Sequence, residues 1–333
     1  MKIWVWTAIL LTALWSGVWF IGAAGTERVI GVWLTDRESD GWVVNYNSLN
    51  TGGYPNRFNT HIDEITLADP ETGWAWVADE FALQSPSYRP HRVTAILPPI
   101  QQLATPYEQL TITSDEITVT LEVEPRTELQ LIQAQFILRG VVIDSSENWQ
   151  TALRTATLDV TRLPETEQTY SIGFEANDLT PSVEARRRLN PADLLPDAIE
   201  VVRLNAEMTF DRPFDITTIE QSRPQITRID LAELSAGWGN LVLRAAGQLD
   251  IDSNGYPTGD IAVRAENWRD MIALGVNAGA IPVEMRSMLE GGIGLLAGLS
   301  GDPQDIDASL SFRNQQIFFG PIPLGPAPQL ILR

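Results

Sequence analysis

The chain has 333 residues, a net charge of −20 and a pI near 4.4. Cysteine is absent, which excludes a disulfide framework, thiolate chemistry and cysteine-ligated metal sites. So acidic a surface repels nucleic acid and anionic headgroups, so neither is expected as a partner of the bulk of the protein, and the length allows one large or two modest domains with ample core volume.

Residues 3–25 carry no charged side chain and are mostly Trp, Ile, Leu, Val, Phe and Ala. As a helix the run spans roughly 34 Å, enough to cross a bilayer core. Trp4, Trp6 and Trp19 lie toward its two ends, where indole rings favour the interface. Lys2 precedes the run and favours a cytoplasmic N-terminus. Residues 1–25 are read as an uncleaved, single-pass anchor in the inner (cytoplasmic) membrane, and 26–333 as a periplasmic β-rich domain. The competing reading is a cleaved signal peptide, because Gly22, Ala23, Ala24 and Gly25 offer small residues at a cleavage position.

Residues 26–40 read as a helical lead-in. Strands are expected over 41–49, over 58–67 with an irregularity, over 73–84 and over 92–97, the last closed by Pro98-Pro99. Runs 110–114 and 116–124 flank a polar turn, and 128–143 is apolar on both faces. Strands follow over 152–163 and 169–176. Residues 180–196, with Pro181, Pro191 and Pro196, mark a loop with a short helix and the candidate internal boundary. Strands resume over 199–210 and 226–231.

Residues 239–319 hold the clearest pattern. Leu241, Leu243, Ala245, Leu249 and Ile251 fall on one face of a strand, with Val242, Arg244, Ala246, Gln248 and Asp250 on the other. A turn at Asp252-Ser253-Asn254-Gly255 leads to a return strand with Ile261, Val263 and Ala265. Helices are expected over 268–278 and 283–299, with Pro282 before the second and Gly301 after it, then a strand through Ile306 and Phe312. The tail, 318–328, is apolar and proline-rich, so it packs as extended chain.

Strands outnumber helices and short turns join many of them. The expected class is therefore α+β, β-dominated: a long, curved, mostly antiparallel sheet with one or two C-terminal helices packed on it, behind an N-terminal transmembrane helix.

Chemistry-bearing motifs are few. Asp250, Asp252, Asn254 and Gly255 match the opening of a calcium loop, but its twelfth position, which needs a bidentate Glu, is Ile261. Turn chemistry accounts for the same residues. His61 and His91 have no metal-like spacing, and Asp63-Glu64 and Asp115-Glu116 point to opposite strand faces. Arg186-Arg187-Arg188 is read as a solvated loop paired with the protein's own carboxylates, with phosphate headgroups or an acidic partner as the alternative. Gly294 and Gly298 give a G-x-x-x-G spacing in a helix whose Glu284, Arg286 and Glu290 argue against a membrane span. No catalytic, cofactor or metal residues are assigned, and no ligand-binding residue is named.

Gly53-Tyr54-Pro55 with Arg57-Phe58, the run Ser87-Tyr88-Arg89-Pro90-His91 leading to Ile96-Leu97-Pro98-Pro99, and the closing 320–325 stretch Gly-Pro-Ile-Pro-Leu-Gly resemble one Gram-negative family. It is the domain-of-unknown-function family numbered 2125, and the resemblance runs over nearly the whole chain. It implies a single-pass, membrane-anchored envelope protein without an assigned activity and brings no catalytic residues. The hairpin at 247–259 with the closing motif is also similar to the C-terminal part of AsmA-like envelope proteins. That likeness implies a long β-groove connected with lipid traffic and outer-membrane assembly.

The expected function is a non-enzymatic, inner-membrane-anchored periplasmic protein with an apolar β-groove that binds lipid or assists envelope biogenesis. The alternatives are a scaffold with a filled core and a protein partner, and an envelope hydrolase without a recognisable motif. No cofactor is expected, and the partners are membrane lipid through the helix and a lipid ligand or an envelope protein, not nucleic acid.

Overall fold

The computed structural model of the protein describes residues 2–191, 193–220, 223–279, 281–300, 304–320 and 322–332. Contacts divide the chain into two compact units, Met1–Pro125 with Phe136–Asn148, and Arg126–Gln135 with Trp149–Arg333. The loop at 180–196 lies inside the second.

The first unit opens with α1 (Lys2–Ser39), a single unbroken helix of 38 residues. The expected anchor and lead-in are thus one element, long and apolar enough to cross a membrane. The strands are β1 (Val43–Asn45), β2 (Ser48–Gly52), β3 (Arg57–Asp69), β4 (Trp74–Pro86), β5 (Arg92–Leu97), β6 (Ile100–Ala104), β7 (Gln109–Thr113), β8 (Glu116–Val123) and β9 (Leu131–Ser145), whose residues 136–145 belong here. β3 takes β1 and β2 on one edge and β4 on the other. Pro98 and Pro99 split the chain that pairs with β4 into β5 and β6, because proline cannot donate to a ladder. β7 and β8 flank their turn as expected but pair with different neighbours, β7 with β6 and β9, and β8 with β5.

The expected irregularity in β3 is at Glu64, which has a φ of 54°. It places Ile62 and Ile65, three positions apart, both inside at 2 % exposure. Regular alternation would send them to opposite faces. Ile30 of α1 packs against this pair with Ala78, Leu67, Trp76 and Phe81.

The second unit is a meander. β10 (Gln150–Arg162), β11 (Thr169–Thr180), β12 (Ile199–Phe210), β13 (Ile226–Trp238), β14 (Leu241–Ile251), β15 (Pro257–Glu266), β16 (Asp305–Arg313), β17 (Gln316–Phe319) and β18 (Ile322–Pro326) each pair antiparallel with the next. The tail expected as extended chain therefore joins the sheet. α2 (Val183–Leu189) starts after Pro181, with the Ser182 hydroxyl accepting from the Ala185 N–H. α3 (Thr217–Glu220) is a single turn.

Between β15 and β16 lie α4 (Trp268–Asn277), a 3-10 turn at Val283–Met285 and α5 (Arg286–Ser300). Trp268, Ile272, Leu289 and Ile293 form their inner face and pack on Ala265, Ile306 and Phe319. Each such side chain contributes about 1.5–3 kcal/mol by leaving water. A Cβ on Gly294 would lie 4.0 Å from the Trp268 ring and 3.6 Å from the Arg269 guanidinium, so this glycine marks where α5 crosses α4. Gly301, expected to end the helix, lies outside the described residues.

Candidate functional site

Along β10 to β17 the register aligns apolar residues into two rows perpendicular to the strands. The first row is Leu158, Phe174, Leu204, Leu234, Ala245, Val263 and Ala308. The second is Val160, Ile172, Ala206, Leu231, Gly247, Ile261, Leu310 and Phe319. Side chains directly opposite across antiparallel strands share a face, so each row is continuous. At about 4.8 Å per strand, the second row extends roughly 34 Å.

Both rows depend on a β-bulge. In β13 the pairing shifts between Leu231 and Leu234, which returns two residues three apart to the same face. The strand expected over 226–231 runs on to Trp238, because alternation breaks at the bulge without ending the ladder. The signal available was the apolar pair Leu231 and Leu234 flanking Ala232-Glu233.

The rows are covered at both ends along the strand direction. At one end Trp238, Leu241, Leu243 and Ala265 meet α4, α5 and the loop after α2. Trp238 donates through Nε1 to the Pro196 carbonyl at 2.8 Å. Asn190 holds the same loop, accepting from Leu194 N–H at 3.0 Å and donating to the Leu195 carbonyl at 3.2 Å. At the other end Tyr170, Phe210 and Phe214 make an edge-to-face cluster with ring centroids 4.8–5.9 Å apart. Leu330 of the tail packs with Ile251 and Ile261. Between these ends Leu158, Ile172, Phe174, Leu204, Leu231 and Leu234 remain partly exposed. A cavity of about 550 Å³ adjoins the α4 end, bounded by Leu189, Leu194, Leu195, Leu241 and Leu274.

The opposite face is polar and self-paired. Arg203 bonds Glu175 at 3.2 Å, and Arg228 reaches Asp230 at 2.8 Å and Asp250 at 3.2 Å. Hydrogen bonds from Asn177 first, then Arg203, hold the Glu175 carboxyl below its ordinary value. Asp230 is the main cause of a raised Arg228.

The sequence motifs fall outside the apolar rows. Asp252 Oδ1 accepts from the N–H groups of Asn254 and Tyr256 at 2.8 and 2.9 Å, and Asp250 faces Arg228, so this loop uses its oxygens as a turn does. His61 and Glu80 share a 2.6 Å hydrogen bond on β3 and β4, and the His91 carbonyl accepts from Val123 N–H. Asp63 accepts from Ser48, while Glu116 pairs with Arg139 at 2.7 Å. Arg186 pairs with Asp197, a carboxylate of its own chain. Among the described residues no group of three or more His, Asp or Glu side chains is placed to hold a metal ion.

Residues 19–328 match the family described as an uncharacterized protein conserved in bacteria, DUF2125. The chain belongs to the DUF2125 family. Neither a curated protein nor a solved structure matches it. The DUF2125 match takes in α1 from Trp19 onward and the strands of both units, so the apolar rows lie within the family's span.

Proposed function

We propose that this DUF2125 chain is a non-enzymatic protein held by α1 in the inner membrane with its bulk in the periplasm. In this reading the partly exposed middle of the second unit's apolar face takes lipid acyl chains. The supporting observation is the pair of registered rows, lined mainly by hydrocarbon side chains over seven strands in the first row and eight in the second, and covered at both ends of the strands. A partner docking as an extended strand would present backbone N–H and C=O groups that need polar partners on burial, whereas a helix would bring its own bonds, so the crosslinking and lipid readouts separate lipid from protein. An acyl chain needs only apolar area, at about 25 cal/mol per Å² removed from water. An apolar face a few tens of ångströms long suits a fatty tail, and α1 would tether the chain to a membrane that supplies lipid.

Native mass spectrometry with lipid extraction tests this on the full-length chain in detergent, beside Leu204→Asp. Stoichiometric phospholipid on the wild type, lost in the variant with its fold retained, is the expected result. Equal lipid on both would assign the lipid to α1 and favour a scaffold with a protein partner.

A further inference from the structure

α1 does not stand apart from the first unit. Trp15 Nε1 donates to the Pro55 carbonyl at 3.1 Å, and Trp19 Nε1 donates to the Arg57 carbonyl at 2.9 Å. The Ser16 and Tyr54 hydroxyls lie 2.8 Å apart. The Tyr54 ring stacks on Phe20 with centroids 6.0 Å apart, and Phe58 packs against Trp19 and Ala23. The charged residues bounding the apolar run are Lys2 and Glu27. A hydrocarbon core of about 30 Å takes about 20 helical residues. Wherever such a stretch falls within 3–26, residues 7–22 lie inside it. The turn at 53–57 therefore sits beside helix residues that are in the bilayer, Ser16 being at least about 9 Å below the outer edge.

The turn is built for that setting. The carbonyls of Gly53, Pro55, Asn56 and Arg57 are satisfied internally, as hydrocarbon demands. Besides the two indoles, Ser87 Oγ donates to Pro55 at 3.0 Å and Ser87 N–H to Asn56 at 2.9 Å. These bonds clasp the 53–57 turn to the 86–92 turn. Tyr54 and Tyr88 are exposed at 48 % and 69 %, as interfacial aromatics are. Residues 53–57 and 84–94 contain no acidic side chain in a chain of net charge −20, yet carry Arg57, Arg89 and Arg92. Among the described residues Arg57 and Arg89 have no acidic partner, and Arg92 reaches Glu122 at 3.4 Å. Arg57, Gln84, Ser85, Tyr88 and Arg92 bound a cavity of about 590 Å³.

We propose that the paired turns seat at the outward face of the bilayer that α1 crosses, the 53–57 turn dipping below the headgroups beside Ser16 and Trp19, and that Arg57, Arg89 and Arg92 reach up to bind the phosphate of an anionic phospholipid. Guanidinium forks match phosphate oxygens, and long arginine stems reach from apolar depth to the headgroups. The proposal rests on α1 as a membrane-spanning helix, and the test separates the two. Because the chain lacks cysteine, single labels can be placed at will. Full-length Leu10→Cys, Tyr88→Cys and Glu71→Cys carry an environment-sensitive fluorophore in vesicles of phosphatidylethanolamine and phosphatidylglycerol with headgroup-nitroxide lipid. Position 71 serves as the distant control, at the opposite end of β3 from Arg57, about 40 Å away.

Burial of label 10 with strong quenching at 88 and little at 71 is expected. Label 10 buried with label 88 in water overturns the seat alone. Label 10 in water overturns the spanning reading on which the seat rests. Arg57→Gln with Arg89→Gln should lower the phosphatidylglycerol preference of co-extracted lipid roughly fivefold or more. An unchanged preference overturns the phosphate role.

Discussion

In the first unit α1 lays Ile30 over β3 and β4, and Ile62 and Ile65 keep 2 % exposure each. In the second, α4 and α5 cover Ala265, Ile306 and Phe319, while Phe174, Leu204 and Leu234, several strands away, stay partly exposed. Both units build the apolar face by the same device. An irregularity lets two apolar residues three apart share a face, Ile62 with Ile65 and Leu231 with Leu234. What differs is the cover. A strand's alternation decides which side chains share a face, and the chain elsewhere decides whether that face becomes closed core or open surface.

Substitutions that place a charge on each face would break the comparison most sharply. Ile65→Asp puts a carboxylate into closed core and should destabilise the first unit by ~4 kcal/mol or more, read as a large loss of melting temperature. Leu204→Asp should cost less than ~2 kcal/mol, since the carboxylate keeps water, and should instead remove bound lipid. Equal melting losses would mean that the second face is closed as well.

The floor of the second row offers an intermediate test. A Cβ at Gly247 would lie 2.2 Å from the Asp260 carbonyl oxygen and 2.8 Å from the Ile261 Cα, all backbone. Gly247→Val should therefore cost about 1–3 kcal/mol in thermal unfolding. Trp238→Phe keeps an aromatic ring but removes the buried pyrrole ring and its hydrogen bond to Pro196. About 1–3 kcal/mol is expected, with faster hydrogen exchange in the 189–196 loop.

The smallest effect is acid sensitivity. The Thr217 hydroxyl, chiefly, holds the Asp215 carboxyl below its ordinary value of 3.8. A depressed folded-state value stabilises above the unfolded value, and that contribution is lost as pH falls through the folded one. Asp215→Asn should leave stability at pH 7 lower than wild type and flatten its decline below about pH 4, followed by circular dichroism.

Strands with clean alternation were legible: β5 and β12 match their expected limits, and β14 shows the expected division of faces. So was the hairpin turn at 252–255, where Asp252 and Gly255 act through turn chemistry. The second half of β13 was not, because a bulge looks in sequence like the end of a strand. β6, β17 and β18 were hidden by Pro98-Pro99 and by Pro323 and Pro326, which read as breaks but sit at strand limits or within a terminal strand. The candidate face was illegible for a different reason. Its rows exist only through register between strands up to 160 residues apart in the chain, which no local window contains. The basic turns at 53–57 and 86–92 appeared as a family likeness, and their shared location became visible only through Trp15, Trp19 and Ser87.

The most direct test of the lipid-accommodating face uses two neighbouring positions on β12. Leu204 faces the apolar rows, and Arg203 faces the polar side where it bonds Glu175. A photoreactive benzoylphenylalanine at each position, in full-length protein in membranes with radiolabelled phospholipid, compares the two faces of one strand. Lipid crosslinked at 204 and not at 203 is the predicted result. Equal labelling at both positions, or none at 204, would contradict a face that holds acyl chains.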